Sequence, residues 1–141
     1  MSTEHNTTSV RRGFEEGINQ RKLAVFDELL APNYVNHSMP APMPGPEGLK
    51  AVIGIFLTGF PDFQVIVEQS VAEGDYVCTR GYFTGTHTGD FQGIPATGKS
   101  IRATYIDMWR FEAGKAVENW AQLDMLGLMQ QLGVIPAPQV A

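Results

Sequence analysis

The hydrophobic pattern of the chain changes its period once, at Pro61, and this change limits the fold more than any other feature. Before Pro61, apolar residues recur every three or four positions, most clearly from Leu49 to Phe60, which is typical of an amphipathic helix. After it, apolar and polar residues alternate from Phe63 to Gln69, which is typical of a strand. Helices followed by strands joined in hairpins favour an α+β fold over an alternating α/β fold.

The same patterns predict the order of the elements. Helices are predicted over residues 10–18, 23–30 and 49–60, with a break or kink near 17–21. Strands are predicted over 63–69, 76–84, 99–111 and 116–123, followed by a short helix over 125–132. We expect a curved antiparallel sheet with the N-terminal helices on its concave face, which leaves an apolar pocket between the two layers.

Composition narrows the class of protein and of partner. The 141 residues suit a single domain, in which 1–8 and 134–141 are predicted to be flexible ends. With 10 basic and 15 acidic side chains the net charge is −5, which argues against binding to nucleic acid or to an anionic membrane. The polar first twenty residues lack the apolar segment of a signal peptide, so we predict a cytoplasmic protein.

Metal-binding patterns are weak in this sequence. Cys78 is the only cysteine, which excludes an intrachain disulfide and a cysteine zinc site. His87 precedes Asp90 by three residues in a glycine-rich loop, and two such ligands in a flexible loop are a poor metal signal. We therefore predict no metal and no cofactor, with His87 at the rim of a small-molecule pocket or ordering its own loop.

Asp124 is the leading candidate for an acid/base group. It stands between Leu123 and Met125, and a carboxylate walled by apolar groups becomes a better base near neutral pH. Aspartate is also a favoured residue just before a helix, so capping the final helix is the alternative role. The two roles are compatible if one carboxylate oxygen caps the helix while the other faces the pocket.

Further candidates come from strand parity. Trp120 and Gln122 share the parity of Asp124, so they are predicted to lie on the same side of the sheet. Arg80 on the pocket side would stabilise an anion or an enolate, whereas on the outer side it is an ordinary surface charge. His37 ends a short extended run, where it can donate to a substrate carbonyl or bond to the backbone.

Four segments resemble the SnoaL-like polyketide and ester cyclases. They are the loop from Gly85 to Lys99, the segment from Trp109 to Trp120, the segment from Leu123 to Gly133 with its Gln-Leu-Gly ending, and the early run from Tyr34 to His37. The resemblance extends over nearly the whole chain. It implies the NTF2-like cone, which is related in shape to ketosteroid isomerases and limonene epoxide hydrolases.

The resemblance also implies a chemistry: cofactor-free aldol closure of a polyketide ester, with an aspartate as acid/base. Asp124 matches that aspartate through the motif that follows it. Two positions depart from the family pattern: Ala121 stands where relatives often carry an acidic residue, and Met108 stands where polyketide cyclases place a histidine. The predicted catalytic residues are Asp124 and His37, and the predicted substrate-binding residues are Trp120, Gln122, Met108, Arg80, His87 and Tyr34.

Three functions are compatible with these residues. The first is a cofactor-independent cyclase or isomerase that acts on a small hydrophobic carbonyl compound. The second is an epoxide or ester hydrolase in which Asp124 activates a water near Asn36, Tyr34 or Arg80. The third is a non-catalytic binding domain for an apolar ligand. Apolar residues on both sides of the strands further predict a homodimer formed through the outer face of the sheet.

Overall fold

A computed structural model describes residues 2–136 and contains one five-stranded sheet. The strands are β1 (Leu30–Asn36), β2 (Gln64–Glu73), β3 (Tyr76–Thr86), β4 (Ser100–Glu112) and β5 (Lys115–Leu123). Their order across the sheet is β1-β5-β4-β3-β2. All neighbours pair antiparallel except β1, which runs parallel to β5. The α+β class is confirmed, and the parallel edge strand is the one departure from the predicted antiparallel sheet.

All helices but the last precede the hairpins, as the change of period predicted. They are α1 (Thr3–Arg12), a π-helical segment (Gly13–Asn19) that continues it, α2 (Val25–Leu29), α3 (Pro46–Gly59) and α4 (Met125–Leu132). Within residues 2–136 none of these helices has the length and apolar content needed to cross a bilayer.

The segment predicted as a flexible end, residues 1–8, contains the start of α1 within its described part. The Ser2 side chain accepts a hydrogen bond from the backbone N–H of His5, so a capped helix begins at Thr3. The predicted break near 17–21 is present, because the π-helical segment ends at Asn19. Most of the other predicted flexible end, residues 137–141 of 134–141, lies outside the described residues.

Strict alternation along β4 separates the two faces of the sheet. Odd-numbered residues from Ile101 to Phe111 are buried beneath the helices, and even-numbered residues from Ser100 to Arg110 point outward. Backbone pairing places Thr79 of β3 opposite Asp107 of β4, and Asp107 opposite Ala121 of β5. These three residues therefore form a row across the concave face.

The outer face of the sheet remains apolar although none of the described helices covers it. Val71 is 59% exposed and Ile106 is 61% exposed, and Met108 and Trp120 are also exposed on this side. Exposed apolar patches of this kind mark interaction surfaces in soluble proteins. The homodimer expected from the sequence stays a prediction, and these exposed side chains are the surface through which it would form.

We expect Ile106→Lys to convert a homodimer into a monomer, because the charge would be buried at the centre of the outer face. Light scattering at micromolar protein concentration measures the mass directly. Ile55→Lys is the matched control, since Ile55 is also exposed but lies on α3, away from the sheet surface. A monomeric wild type, or a dimeric Ile106→Lys variant, would exclude this interface.

Candidate active site

An apolar cavity of about 120 Å³ lies between the helices and the concave face of the sheet. Side chains of the N-terminal helical region, α3 and all five strands contribute to its walls. Most of the lining is aliphatic or aromatic. The side chains in the lining that can form hydrogen bonds are Ser9, Asn36, Tyr105, Asp107, Trp109 and Asn119.

Asp107 is the one carboxylate among the described residues that line this cavity, and it is only 4% exposed. Its Oδ1 accepts hydrogen bonds from the backbone N–H of Thr79 at 3.1 Å and from the Thr79 hydroxyl at 2.6 Å. Its Oδ2 accepts from the indole Nε1–H of Trp109 at 2.9 Å. Three donors hold the carboxylate in place, and Oδ2 keeps a lone pair for a fourth partner.

Burial sets the protonation of this group. Loss of solvent raises the pKa of Asp107 to about 6, although the hydrogen bonds from Thr79 and Trp109 act in the opposite direction. A carboxylate with that pKa is ionised at neutral pH and still takes up a proton readily. These are the properties of a general base.

Tyr105 extends the hydrogen-bond chain by one member. Its hydroxyl lies 3.0 Å from the Thr79 hydroxyl oxygen. Because Thr79 donates its own hydrogen to Asp107, its oxygen is left to accept from Tyr105. Burial raises the pKa of Tyr105 to about 12, so this hydroxyl stays a neutral donor.

Two carboxamides lie side by side on neighbouring strands of the cavity wall. Asn36 of β1 pairs with Asn119 of β5, and both line the cavity. The Asn36 Oδ1 accepts from the backbone N–H groups of Ser38 and Met39, each at 3.0 Å. Within the described part of the chain neither amide nitrogen has a hydrogen-bond acceptor, so both are available to donate to an oxygen of a ligand.

Tyr34 supports this pair from beneath the cavity surface. It is fully buried, its hydroxyl donates to Asn119 Oδ1, and its ring stacks on Trp109 at 6.1 Å between centroids. Burial and the nearby charge of Asp107 raise the pKa of Tyr34 above its usual range. Tyr34 does not line the cavity. Its hydrogen bond orients the Asn119 amide. Tyr34 therefore acts on the site indirectly and does not make the substrate contact that was expected.

The other strand residues predicted for the site lie on the outer face. The shared parity of Trp120, Gln122 and Asp124 is confirmed, but the face that they share points away from the cavity. Met108 and Arg80 also point outward, and Arg80 Nε donates to Gln69 Oε1 at 2.8 Å. The odd-numbered residues of β3 and β4 turn toward the helices, so Arg80 and Met108, at even-numbered positions of these strands, do not line the cavity.

Asp124 caps α4. Its carboxylate is exposed, and Oδ1 accepts a hydrogen bond from the backbone N–H of Gly127 at 2.9 Å. The apolar enclosure expected from Leu123 and Met125 is therefore wrong. Neighbours in sequence along a strand point to opposite faces, so they do not desolvate the residue between them.

Both histidine candidates lie away from the cavity. His37 is exposed, with Nε2 at 2.7 Å from Glu118 Oε1 and its ring stacked on Trp120 at 5.0 Å. His87 is fully buried in its loop, where Nδ1 accepts from the backbone N–H of Thr97 at 3.2 Å. Loop ordering, not a place at the pocket rim, is the role that its contacts support.

The sequence offered one signal for Asp107 that our predictions missed. In β4 the buried positions carry apolar or aromatic residues, except at 107. A charged residue in the middle of such an apolar series marks a buried polar group with dedicated partners. Among residues 2–136, no three His, Cys, Asp or Glu side chains are grouped so that they could hold a metal ion.

We expect Thr79→Val to raise the pKa of Asp107 above about 6. The hydroxyl of Thr79 stabilises the ionised form, so its removal favours the protonated form and should move the titration midpoint upward by about one pH unit or more. Carbon-13 NMR of the aspartate carboxyl carbons measures the midpoint. Thr79→Ser keeps the hydroxyl and should titrate like wild type. An unchanged midpoint in Thr79→Val would contradict the assigned hydrogen bond.

Comparison with known proteins agrees with the fold and with the resemblance seen in the sequence. The family model of the SnoaL-like polyketide cyclases matches residues 8–132. Aklanonic acid methyl ester cyclase DauD of Streptomyces sp. (strain C5) is 28% identical over 110 residues, which are 77% of this chain and 67% of DauD. Aklanonic acid methyl ester cyclase DnrD of Streptomyces peucetius is 29% identical over 107 residues, which are 75% of this chain and 72% of DnrD.

A solved structure extends the similarity to three dimensions. TsrD from Streptomyces laurentii superposes with a TM-score of 0.87 at 27% identity, and the match covers 96% of this chain and 99% of TsrD. The cone-shaped α+β fold expected from the resemblance is thereby confirmed. Because the family model spans most of the chain, the protein belongs to the SnoaL-like polyketide cyclase family.

Proposed function

We propose that the protein is a cofactor-independent acid/base enzyme that removes a proton from the carbon next to a carbonyl group of a small hydrophobic compound. The reaction would be an aldol-type ring closure or an isomerisation. The observation that carries this proposal is Asp107, a buried carboxylate held by three donors at the wall of an apolar cavity. Membership of a cyclase family, and two relatives named as ester cyclases, support the same reaction class.

The first step is proton transfer from carbon. Asp107 Oδ2 takes the proton, and the electron pair of the broken C–H bond forms the enolate, whose negative charge lies mainly on the carbonyl oxygen. The free amide groups of Asn36 and Asn119 supply donors for that oxygen. Donors fixed in a low-dielectric site stabilise developing charge more than water does, because they need no reorganisation.

The second step differs between the two reactions. In an aldol closure the enolate carbon attacks a second carbonyl of the same molecule, a C–C bond forms, and the new alkoxide takes up the proton held by Asp107. In an isomerisation Asp107 returns the proton to a different carbon of the enolate system. Both routes regenerate the ionised carboxylate, so neither consumes a co-reactant.

Asp107 is a better candidate for the base than Asp124. A general base works best in a water-excluded site, and Asp124 is exposed and occupied in capping α4. The resemblance led us to expect an acidic residue at position 121, where the chain has alanine. Ala121 is the cross-strand partner of Asp107, so a carboxylate at either position would face the same part of the cavity.

Exchange of deuterium into cyclohexanone tests the proposal without knowledge of the natural substrate. Proton NMR in D₂O follows the loss of the protons next to the carbonyl. We expect wild type to catalyse exchange and Asp107→Asn to be slower by about 10²- to 10⁴-fold, because the base is lost while the side-chain volume is kept. Asp124→Asn is the matched control and should exchange at the wild-type rate, since asparagine also caps helices.

Other outcomes identify the alternatives. Loss of exchange in Asp124→Asn alone would make Asp124 the base. Hydrolysis of styrene oxide without ketone exchange would favour the epoxide hydrolase, and binding of cyclohexanone without either reaction would favour a binding domain. Treatment with a chelator should leave the rate unchanged; a loss that Zn²⁺ or Mg²⁺ reverses would end the cofactor-independent proposal.

A further inference from the structure

We propose that the ligand of this cavity is an uncharged carbonyl compound no larger than about one six-membered ring, and that Phe14 sets this size limit. The claim that the ligand contains a carbonyl group rests on the proposed function. The limits on size and charge rest on the cavity alone.

The volume of the cavity sets the first limit. It measures about 120 Å³. An apolar cavity of about 150 Å³ lined by aliphatic and aromatic side chains takes up benzene. Sites for larger drug-sized ligands occupy roughly 300–1,000 Å³. The space therefore suits a single ring or a short chain, and it is too small to enclose a system of three fused rings.

One end of the cavity cannot yield to a larger ligand. There Phe56, Phe63 and Phe83 pack against one another, with ring centroids 5.2 Å, 5.4 Å and 6.1 Å apart. All three side chains are buried. Close-packed interiors have no free space into which such rings can move, so this wall is fixed.

Phe14 limits the cavity near the proposed base. Its ring lies 5.7 Å from the ring of Tyr105 and 6.3 Å from that of Trp109. These two residues precede and follow Asp107 on the inner face of β4, so Phe14 packs over the part of the strand that carries the carboxylate. Unlike the three rings at the fixed end, Phe14 is partly exposed, so it can be shortened without opening a hole in the fully buried core.

The backbone that carries Phe14 is held close to its neighbours. Gly13 and Gly17 bracket it in the π-helical segment, and both face Phe26. A Cβ atom at Gly17 would come within 2.6 Å of the Phe26 ring, and one at Gly13 within 3.2 Å. Because the segment lies directly on Phe26, Phe14 has a defined position and not a range of positions.

Charge sets the second limit. Among the described residues that line the cavity there is no lysine, arginine or histidine, and the one ionisable acid is Asp107. A ligand carboxylate or phosphate would be desolvated here without a cation to pair with, next to a negative charge. Burying an unpaired anion is strongly unfavourable. Neutral ketones, aldehydes and esters meet no such penalty.

Three ketones separate size from charge. Cyclohexanone is a neutral single ring, 4-oxocyclohexanecarboxylate is the same ring with a negative charge, and anthrone is neutral with three fused rings. The indole N–H signal of Trp109 in ¹H–¹⁵N NMR spectra reports binding at the site, because this group donates to Asp107. The indole signal of Trp120, on the outer face, is the internal control and should not move.

We expect cyclohexanone to shift the Trp109 signal and the other two ketones to bind at least about tenfold more weakly. Phe14→Ala should gain anthrone binding, Phe14→Leu should gain less, and neither should bind the carboxylate. Wild type that binds anthrone or the carboxylate as tightly as cyclohexanone would overturn the proposal, as would a Phe14→Ala variant that still excludes anthrone. Binding of cyclohexanone without deuterium exchange would refute the proposed function while leaving the size and charge limits in place.

Discussion

The contact between Asp107 and Thr79 is the interaction on which the rest of the site depends. A buried carboxylate is tolerated only when donors replace the lost water, and two of its three donors come from this one residue on the next strand. That contact exists only in the register that sets β3 against β4 as observed. The same register brings Tyr105 to the Thr79 hydroxyl. The register of β3 against β4 therefore also determines which hydrogen bonds Asp107 accepts in the cavity.

The order of helices and strands was predictable because it follows from local periodicity. Each hairpin strand was located within a few residues, and the glycine at the end of α4 has the left-handed conformation expected of a helix C-cap, with Gly133 at φ 82°. The parallel pairing of β1 with β5 was not predictable in this way. It joins segments that are distant in the chain, and no hairpin turn fixes their relative direction. The pairing of Asn36 with Asn119 was missed for the same reason.

The site residues show where local patterns reach their limit. Alternation assigns strand residues to two faces, but it does not say which face the helices cover. β3 and β4 carry apolar residues on both faces, so the sequence left the face of Arg80 and Met108 open. Trp120, Gln122 and Asp124 were expected on the pocket side, and the structure places them on the outer side. The composition of the faces differed in one useful respect: only the inner face of β4 held a lone acid among apolar residues, at Asp107.

β1 is held less firmly in the sheet than the central strands that carry the rest of the site. β1 pairs with β5 at Leu30, Val35 and Asn36, with an irregularity between the first two, whereas every residue of β3 pairs with β4. Segments with fewer backbone contacts open locally at lower free energy than the centre of a sheet. Detachment of this edge would separate Asn36 from Asn119 and leave Asp107 in place. A ligand oxygen that accepts hydrogen bonds from both amides would thus link β1 to β5 and stabilise their pairing for as long as the ligand stays bound.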